Sequence, residues 1–349
     1  MRLGLSLGHL TGDPVEGIAA STALALEADR LGYAVVWAAE AYGSDAATLL
    51  AYLAAHTERI DLGAAVFQVP GRSPALTAMT AATLDALSGG RFRLGLGVSG
   101  PQVSEGWHGV RFDAPLARTR EYVDVVRMAL RREPVRHAGE HYPLPLPGSA
   151  GKALRLSMRP VRPALPVYLA AVGPRNIELA GEIADGWLAL FLSPEHAAEQ
   201  LAHVRRGAQR AGRDLTGFEV AATAPLSVAA DVETAADAVR GYAALYLGGM
   251  GSRERNFYNR LAVRMGYADA AAEVQTLYLA GRQRDAAAAV PLEFLDATSL
   301  IGPPARLVDR LRAFAAAGVT TLSVMPYGAT LDERVEALRT VARAQEVAG

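Results

Sequence analysis

The chain has 349 residues, 51% of them hydrophobic and 20% charged, enough to bury a large core and to read as ordered throughout. Lysine plus arginine number 35 against 36 acidic residues, a formal charge of -1, so no broad positive field is available to hold nucleic acid. Cysteine is absent, which excludes disulfides, thiolate metal sites and a cysteine nucleophile. The opening MRLGLSLGHL lacks the long apolar core of a signal peptide, and no apolar run approaches the ~18 residues of a membrane span. A cytoplasmic protein without membrane contact is expected.

In chain order, short β-type runs alternate with longer helical patterns. Residues 2–8 predict a strand and about 15–31 a helix; 34–40 predict a second strand, with a helix at about 45–58. IDLGAAVFQ predicts a third strand. The helix after it, Pro74 to Leu87, opens on proline and stops at Ser88-Gly89-Gly90, residues suited to a left-handed cap. FRLGLGVS is a fourth strand, followed by a helix at about 117–131. Residues 132–165, rich in proline and glycine, predict a surface excursion with a small hairpin. VYLAAV, GWLALFL and FEVAATAPLSVA then alternate with helices at RNIELAGEIA, 195–211 and 233–245. A largely helical excursion covers 248–300, and VTTLSVMP is the eighth strand, between helices at about 303–317 and 331–346. Eight strand and helix pairs predict one (β/α)8 TIM barrel domain over residues 1–349, with its site at the carboxyl ends of the strands; a doubly wound sheet is the alternative.

Gly95, Gly97 and Gly100 spell G-x-G-x-x-G, the spacing of a dinucleotide-binding turn. The context does not suit that fold. The motif follows the fourth strand, Pro101 comes directly after the last glycine, and the next clear helix begins some residues later. Three readings remain: a crowded barrel strand whose glycines admit neighbouring backbone, which is favoured over a phosphate-binding turn, or a strand end left open for a flat ring.

Polar residues collect at the expected strand ends. Glu40, Tyr42 and Asp45 close the second strand, in VVWAAEAYGSD, and suit proton transfer. Glu105, Trp107 and His108 follow the fourth; His108 could be an acid, a substrate contact or a packed loop residue, and Trp107 is expected to pack the loop. His9 lies just past the first strand, on the same rim. In VGPRN, Gly173 turns the chain and Pro174 opens a helix whose free N–H groups suit an anion, with Arg175 able to add charge. GGMGSRERNFYNR gathers Arg253, Arg255 and Arg260 around Phe257 and Tyr258, either a solvated helix start or a local anion site; Arg72 is a further candidate for such a site. No His, Asp or Glu group has metal-ligand spacing, and no G-x-S-x-G elbow occurs.

SGGRFRLGLGVSGPQVSEGWHG, preceded by RSPALTAMTAATLDALSGGR and followed by PLARTREYVDVVR, resembles the luciferase-like flavin and deazaflavin oxidoreductases, most of all their coenzyme F420-dependent branch. The likeness runs through PVYLAAVGPRNIELAGEIADGWL and LYLGGMGSRERNFYNRL to LIGPPARLVDRLRAFAAAGVTTL, nearly the whole chain. It implies a bacterial-luciferase-like barrel with insertions, F420 along the strand ends, and a non-proline cis peptide at Ala65–Val66 that with Phe67 forms a bulge behind the ring. It also implies Gly97, Val98, Ser99 and Gly100 beside the cofactor, with Gly173, Pro174, Arg175 and Asn176 at its phosphate. By the same resemblance, hydride passes between C5 of the deazaflavin and a small-molecule substrate near His9, Asp45, Glu105 and Phe257. From their places at the strand ends, Glu40, Tyr42, His108 or water is expected to relay the proton, and the resemblance implies a homodimer.

Members of that branch commonly carry an acidic residue followed by histidine after the second strand. This chain has Glu40-Ala41 instead. The departure argues against sugar-phosphate or alcohol oxidation and for reduction of an activated C=C or C=N bond. An FMN-dependent monooxygenase and a non-catalytic flavin-binding protein are the alternatives.

Overall fold

The structure, a computed structural model, describes residues 1–8 and 12–349. Local signals set its helix starts. Asp13 accepts the N–H groups of Val15 and Glu16 ahead of a proline, and Ser73 does the same for Leu76, so donors that helix geometry leaves free are satisfied. The first half of the chain runs β1 (Arg2–Ser6), α1 (Pro14–Arg30), β2 (Val35–Ala38), α2 (Ala46–Ala54), β3 (Asp61–Ala64), β4 (Phe67–Gln68), α3 (Pro74–Leu87), β5 (Phe92–Gly97), α4 (Pro101–Gly106) and α5 (Pro115–Leu130). The predicted bounds of α3 hold, and Gly89 and Gly90 stop it at φ 65° and 90°.

The second half runs β6 (Val167–Ala170), α6 (Pro174–Ile183), β7 (Gly186–Leu190), α7 (Ala197–Arg210), β8 (Glu219–Val228), α8 (Val232–Ala244), α9 (Phe257–Arg264), α10 (Ala268–Leu279), α11 (Gln283–Ala288), α12 (Leu292–Thr298), β9 (Leu300–Gly302), α13 (Pro304–Ala316), β10 (Thr321–Pro326) and α14 (Leu331–Ala348). Parallel pairing in the order β10, β1, β2, β3, β5, β6, β7, β8 and back to β10 closes an eight-stranded barrel. A doubly wound open sheet is excluded by the β8 to β10 ladder, six residue pairs long.

Three sequence expectations change. IDLGAAVFQ is not one continuous strand: the Ala65–Val66 peptide is cis, as the family resemblance implied, and β4 resumes beyond it to pair with Leu96 and Gly97 of β5. A short helix, α4, begins directly at Pro101 with Gly100 as its cap, where the pattern suggested a later start. The hairpin in 132–165 reduces to one antiparallel bridge between His137 and Leu144, tied to α5 by Glu121, which accepts the N–H groups of Glu140, His141 and Tyr142. Excursion 248–300 is helical as expected. Its apolar residues form their own core with α8, built on Leu261, Val274, Val290 and Phe294.

Alternation along the strands sorts the barrel interior into layers. At the amino ends Arg93 meets Asp61 at 2.8 Å, Glu219 at 2.7 Å and the Tyr168 hydroxyl at 3.0 Å, and Arg2 closes on Glu219 at 2.7 Å. Above them the buried rings of Trp37 and Tyr168 pack edge to face at 5.4 Å and fill the middle. The carboxyl-end layer is made mostly of smaller groups, Ser6, Ala65, Gly97, Ala170 and Thr223, with Leu190 and Met325 beside them, and all but Gly97 remain partly exposed. Side chains that face a barrel's axis yet touch solvent mark an open mouth.

Candidate active site

The glycines of β5 explain the shape of that mouth. A Cβ on Gly95 would lie 1.9 Å from the Ala64 carbonyl oxygen, and one on Gly97 would lie 2.5 Å from Cγ2 of Val66. Of the readings left by the sequence, the crowded strand therefore holds, and it also serves that of an open strand end. Without side chains there, the main chain around Ala65 and Val66 can bulge into the barrel while the adjoining rim stays low. Ser99, just past β5, holds φ at 59°, and Phe191, just past β7, at 53°. Such backbone is uncommon for residues with side chains and clusters at functional sites.

Glu40 stands at this rim, past the end of β2. Arg72 Nη2 lies 3.2 Å from Glu40 Oε1 and also pairs with Asp45. The guanidinium sits over the Phe67 ring, 4.6 Å from its centroid. Glu40 Oε2 and Arg72 Nε are buried without a hydrogen-bond partner. Burial, with the Asp45 charge, pushes the Glu40 carboxyl above the usual carboxylate range, against the pull of Arg72 and of the Gln68 main-chain N–H. Asp45 behaves differently. Burial raises it too, but hydrogen bonds from the Thr48 hydroxyl and N–H, together with Arg72, more than offset that and hold it below the usual range while it caps α2. Arg72 is thus committed to two carboxylates and is not a free anion site.

His108 joins the same rim from the loop after α4. Its Nε2 lies 3.4 Å from Gln68 Oε1, its ring rests against Gly71, and Gln68 Nε2 donates to the Ala41 carbonyl at 2.7 Å. Tyr42 is 62% exposed. Glu105 faces its own loop, accepting the Phe112 N–H at 2.9 Å. Trp107, expected to pack the loop, is 66% exposed, because the short α4 ends on the surface and leaves it no cover. His9 lies outside the described residues.

On the far side of the mouth Gly173 caps α6 without a side-chain bond, leaving the helix's first N–H groups free of one, and Asn176 Nδ2 reaches the Ala170 carbonyl at 3.4 Å. Arg175 is exposed. Arg264 of α9, which sequence reasoning passed over, donates to the Val172 carbonyl at 3.2 Å beside this helix start. Of the expected basic cluster, Arg253 is engaged with Thr276 and Arg260 with the Glu254 carbonyl, so both bind their own excursion. Phe257 begins α9, half-buried.

A tyrosine group also escaped the sequence reading. Phe191 lies 5.5 Å from both Tyr242 and Tyr246 and 6.1 Å from Tyr258, and Tyr327, following β10, lies 6.4 Å from Tyr242. Burial raises all four phenols, keeping them neutral hydrogen-bonding groups. Their only sequence signal is the i, i+4 spacing of Tyr242 and Tyr246.

The profile of the luciferase-like monooxygenase family matches residues 3–321. The chain belongs to that family. It is 44% identical over 331 residues to a Mycobacterium tuberculosis protein provisionally named a coenzyme F420-dependent oxidoreductase, covering 93% of this chain and 94% of the relative. It is 29% identical over 297 residues to the 5,10-methylenetetrahydromethanopterin reductase of Archaeoglobus fulgidus, covering 84% and 85%. The structure of the coenzyme F420-dependent tetrahydromethanopterin reductase from Methanopyrus kandleri superposes with a TM-score of 0.82 at 25% identity, over 98% of this chain and 97% of that one. This luciferase-like chain is an enzyme, and its barrel is the family's. No helix among the described residues is long and apolar enough to cross a membrane.

Proposed function

We propose that this luciferase-like enzyme uses coenzyme F420 to reduce an activated C=C or C=N bond of a small organic substrate. The observation that carries the reading is the mouth itself, open, floored by Trp37 and Tyr168, and bordered by small residues where the bulge at Ala65–Val66 meets Gly97. A planar tricyclic group would rest over such a floor, and the relatives named for F420 add support. When bound, the deazaflavin supplies or accepts a hydride at C5.

Ala65, Val66 and Phe67 would back the ring, with Gly97, Val98, Ser99 and Gly100 along its side. The start of α6, Gly173 to Asn176, would take the phosphate through its N–H groups and dipole, assisted by Arg264. Glu40 is the proton carrier this geometry favours, since one of its oxygens is buried and unpaired. His108 and Tyr42 stand further from that carboxyl's role: His108 bonds Gln68, and Tyr42 faces solvent. Asp45 and Phe257 would stand beside the substrate.

The test is a titration of the purified protein with F420 and with FMN, followed by fluorescence and visible absorbance. F420 should bind, and reduced F420 should be reoxidised by activated alkenes or imines without oxygen uptake. Tight FMN binding without F420 binding overturns the assignment in favour of a monooxygenase. A homodimer belongs to the same reading, supported by exposed Tyr52 on α2 and Leu76, Met79 and Leu87 on α3, and light scattering measures it directly.

A further inference from the structure

Glu40, Arg72 and Asp45 reach the mouth from three separate segments: the end of β2, the turn before α3, and the cap of α2. Arg72 has little freedom there. Its guanidinium lies over Phe67, pairs with Asp45, and reaches Glu40 Oε1 at 3.2 Å, while its own carbonyl accepts from the Tyr122 hydroxyl at 3.1 Å. Held in this way it satisfies one oxygen of Glu40 and leaves Oε2 buried and unpaired, just as its own Nε is unpaired. A buried carboxylate oxygen without a donor favours the protonated form, and a shared cation opposes that only in part.

We propose that Arg72 is a positioning residue acting through Glu40: its fixed guanidinium, divided between Glu40 and Asp45, decides how readily the Glu40 carboxyl releases a proton to a substrate over the mouth. The inference rests on reading Glu40 as the proton carrier. Its surroundings agree, since Arg72 favours the ionised carboxyl and Asp45 opposes it. The other titratable groups facing this cluster are Tyr122 from α5 and His108, which is set back behind Gln68 and Gly71; Tyr42 shares the Glu40 loop and faces solvent.

The experiment follows the Glu40 carboxyl directly, in protein labelled with carbon-13 at glutamate Cδ and without cofactor. Loss of one resonance in Glu40→Gln identifies it. In the wild type it should titrate above the ordinary carboxylate range. Arg72→Met should raise the midpoint by about one pH unit or more, a tenfold gain in proton affinity, and Arg72→Lys should restore most of it. Asp45→Asn keeps a good helix cap and should move the midpoint the other way. An unmoved midpoint in Arg72→Met, or shifts of the same sign in Arg72→Met and Asp45→Asn, overturns the proposal. If Arg72→Met does not fold, Arg72→Gln takes its place, with the same expected rise and the same overturning results. F420 titrated into the wild type judges the cofactor reading separately: failure to bind removes that reading, whereas the carboxyl titration judges Arg72 alone.

Discussion

The two ends of this barrel hold the same trio of residue types, one arginine between two acids, and use it oppositely. At the amino ends Arg93 lies between Asp61 and Glu219, with Tyr168 and Arg2 completing the set. Burial pushes Glu219 up, but Arg93 and Arg2 more than offset it and hold its carboxyl below the usual range. At the mouth Arg72 lies between Glu40 and Asp45, yet one Glu40 oxygen and one Arg72 nitrogen go unpaired, and Glu40 moves up instead. A satisfied trio makes a structural plug; an unsatisfied one keeps a carboxyl ready to exchange a proton.

The largest expected effect comes from breaking the plug. Arg93→Met leaves Asp61 without its ion pair and Glu219 with Arg2 alone, and should cost about 3 kcal/mol in urea unfolding. Arg72→Met should cost distinctly less, because Asp45 is half exposed and keeps Thr48. Equal losses at the two sites would erase the contrast.

The rim glycine separates fold from binding. Gly97→Ala places a methyl against Val66, so overpacking should cost about 1–3 kcal/mol and reduce F420 affinity at least tenfold by fluorescence titration. An unchanged affinity in a folded Gly97→Ala protein would separate the bulge from the cofactor.

The two displaced carboxyls should give opposite pH dependences. Glu219 is lowered on folding, so its contribution is present above about pH 4.3, its unfolded value, and is lost as pH falls through the lower folded one. Glu40 is raised, so its contribution is full below about pH 4.3 and is lost as pH rises through the higher folded value. Stability measured against pH for Glu219→Gln and Glu40→Gln should therefore diverge from wild type in opposite directions. The smallest effect belongs to Trp107→Ala, which removes an exposed ring and should change stability by less than about 0.5 kcal/mol.

Much of the architecture was legible because helix and strand periods, proline starts and glycine stops are written locally; α3, from Pro74 to its Gly89-Gly90 stop, needed nothing beyond its own residues. The site was legible in part. Glu40 and Asp45 were visible as polar residues closing an apolar strand, and Gly97 as a glycine with two competing explanations. Arg72 stands in the sequence only as a candidate anion site, because spacing cannot show that Glu40, 32 residues earlier, meets it. Trp107 was read as packed because an aromatic residue near a strand end usually finds cover, and only the length of α4 denies it that.

The sequence by itself determined the order of strands and helices, the absence of thiol chemistry, and the small residues at the strand ends, since each follows from side-chain size, polarity and local backbone preference. Closure of β8 on β10, the meeting of Glu40 with Arg72, and the gathering of Phe191, Tyr242 and Tyr327 were decided only by tertiary structure. These contacts join residues far apart in the chain, and whether an acid there is matched or left short of a partner depends on what the closed barrel brings beside it.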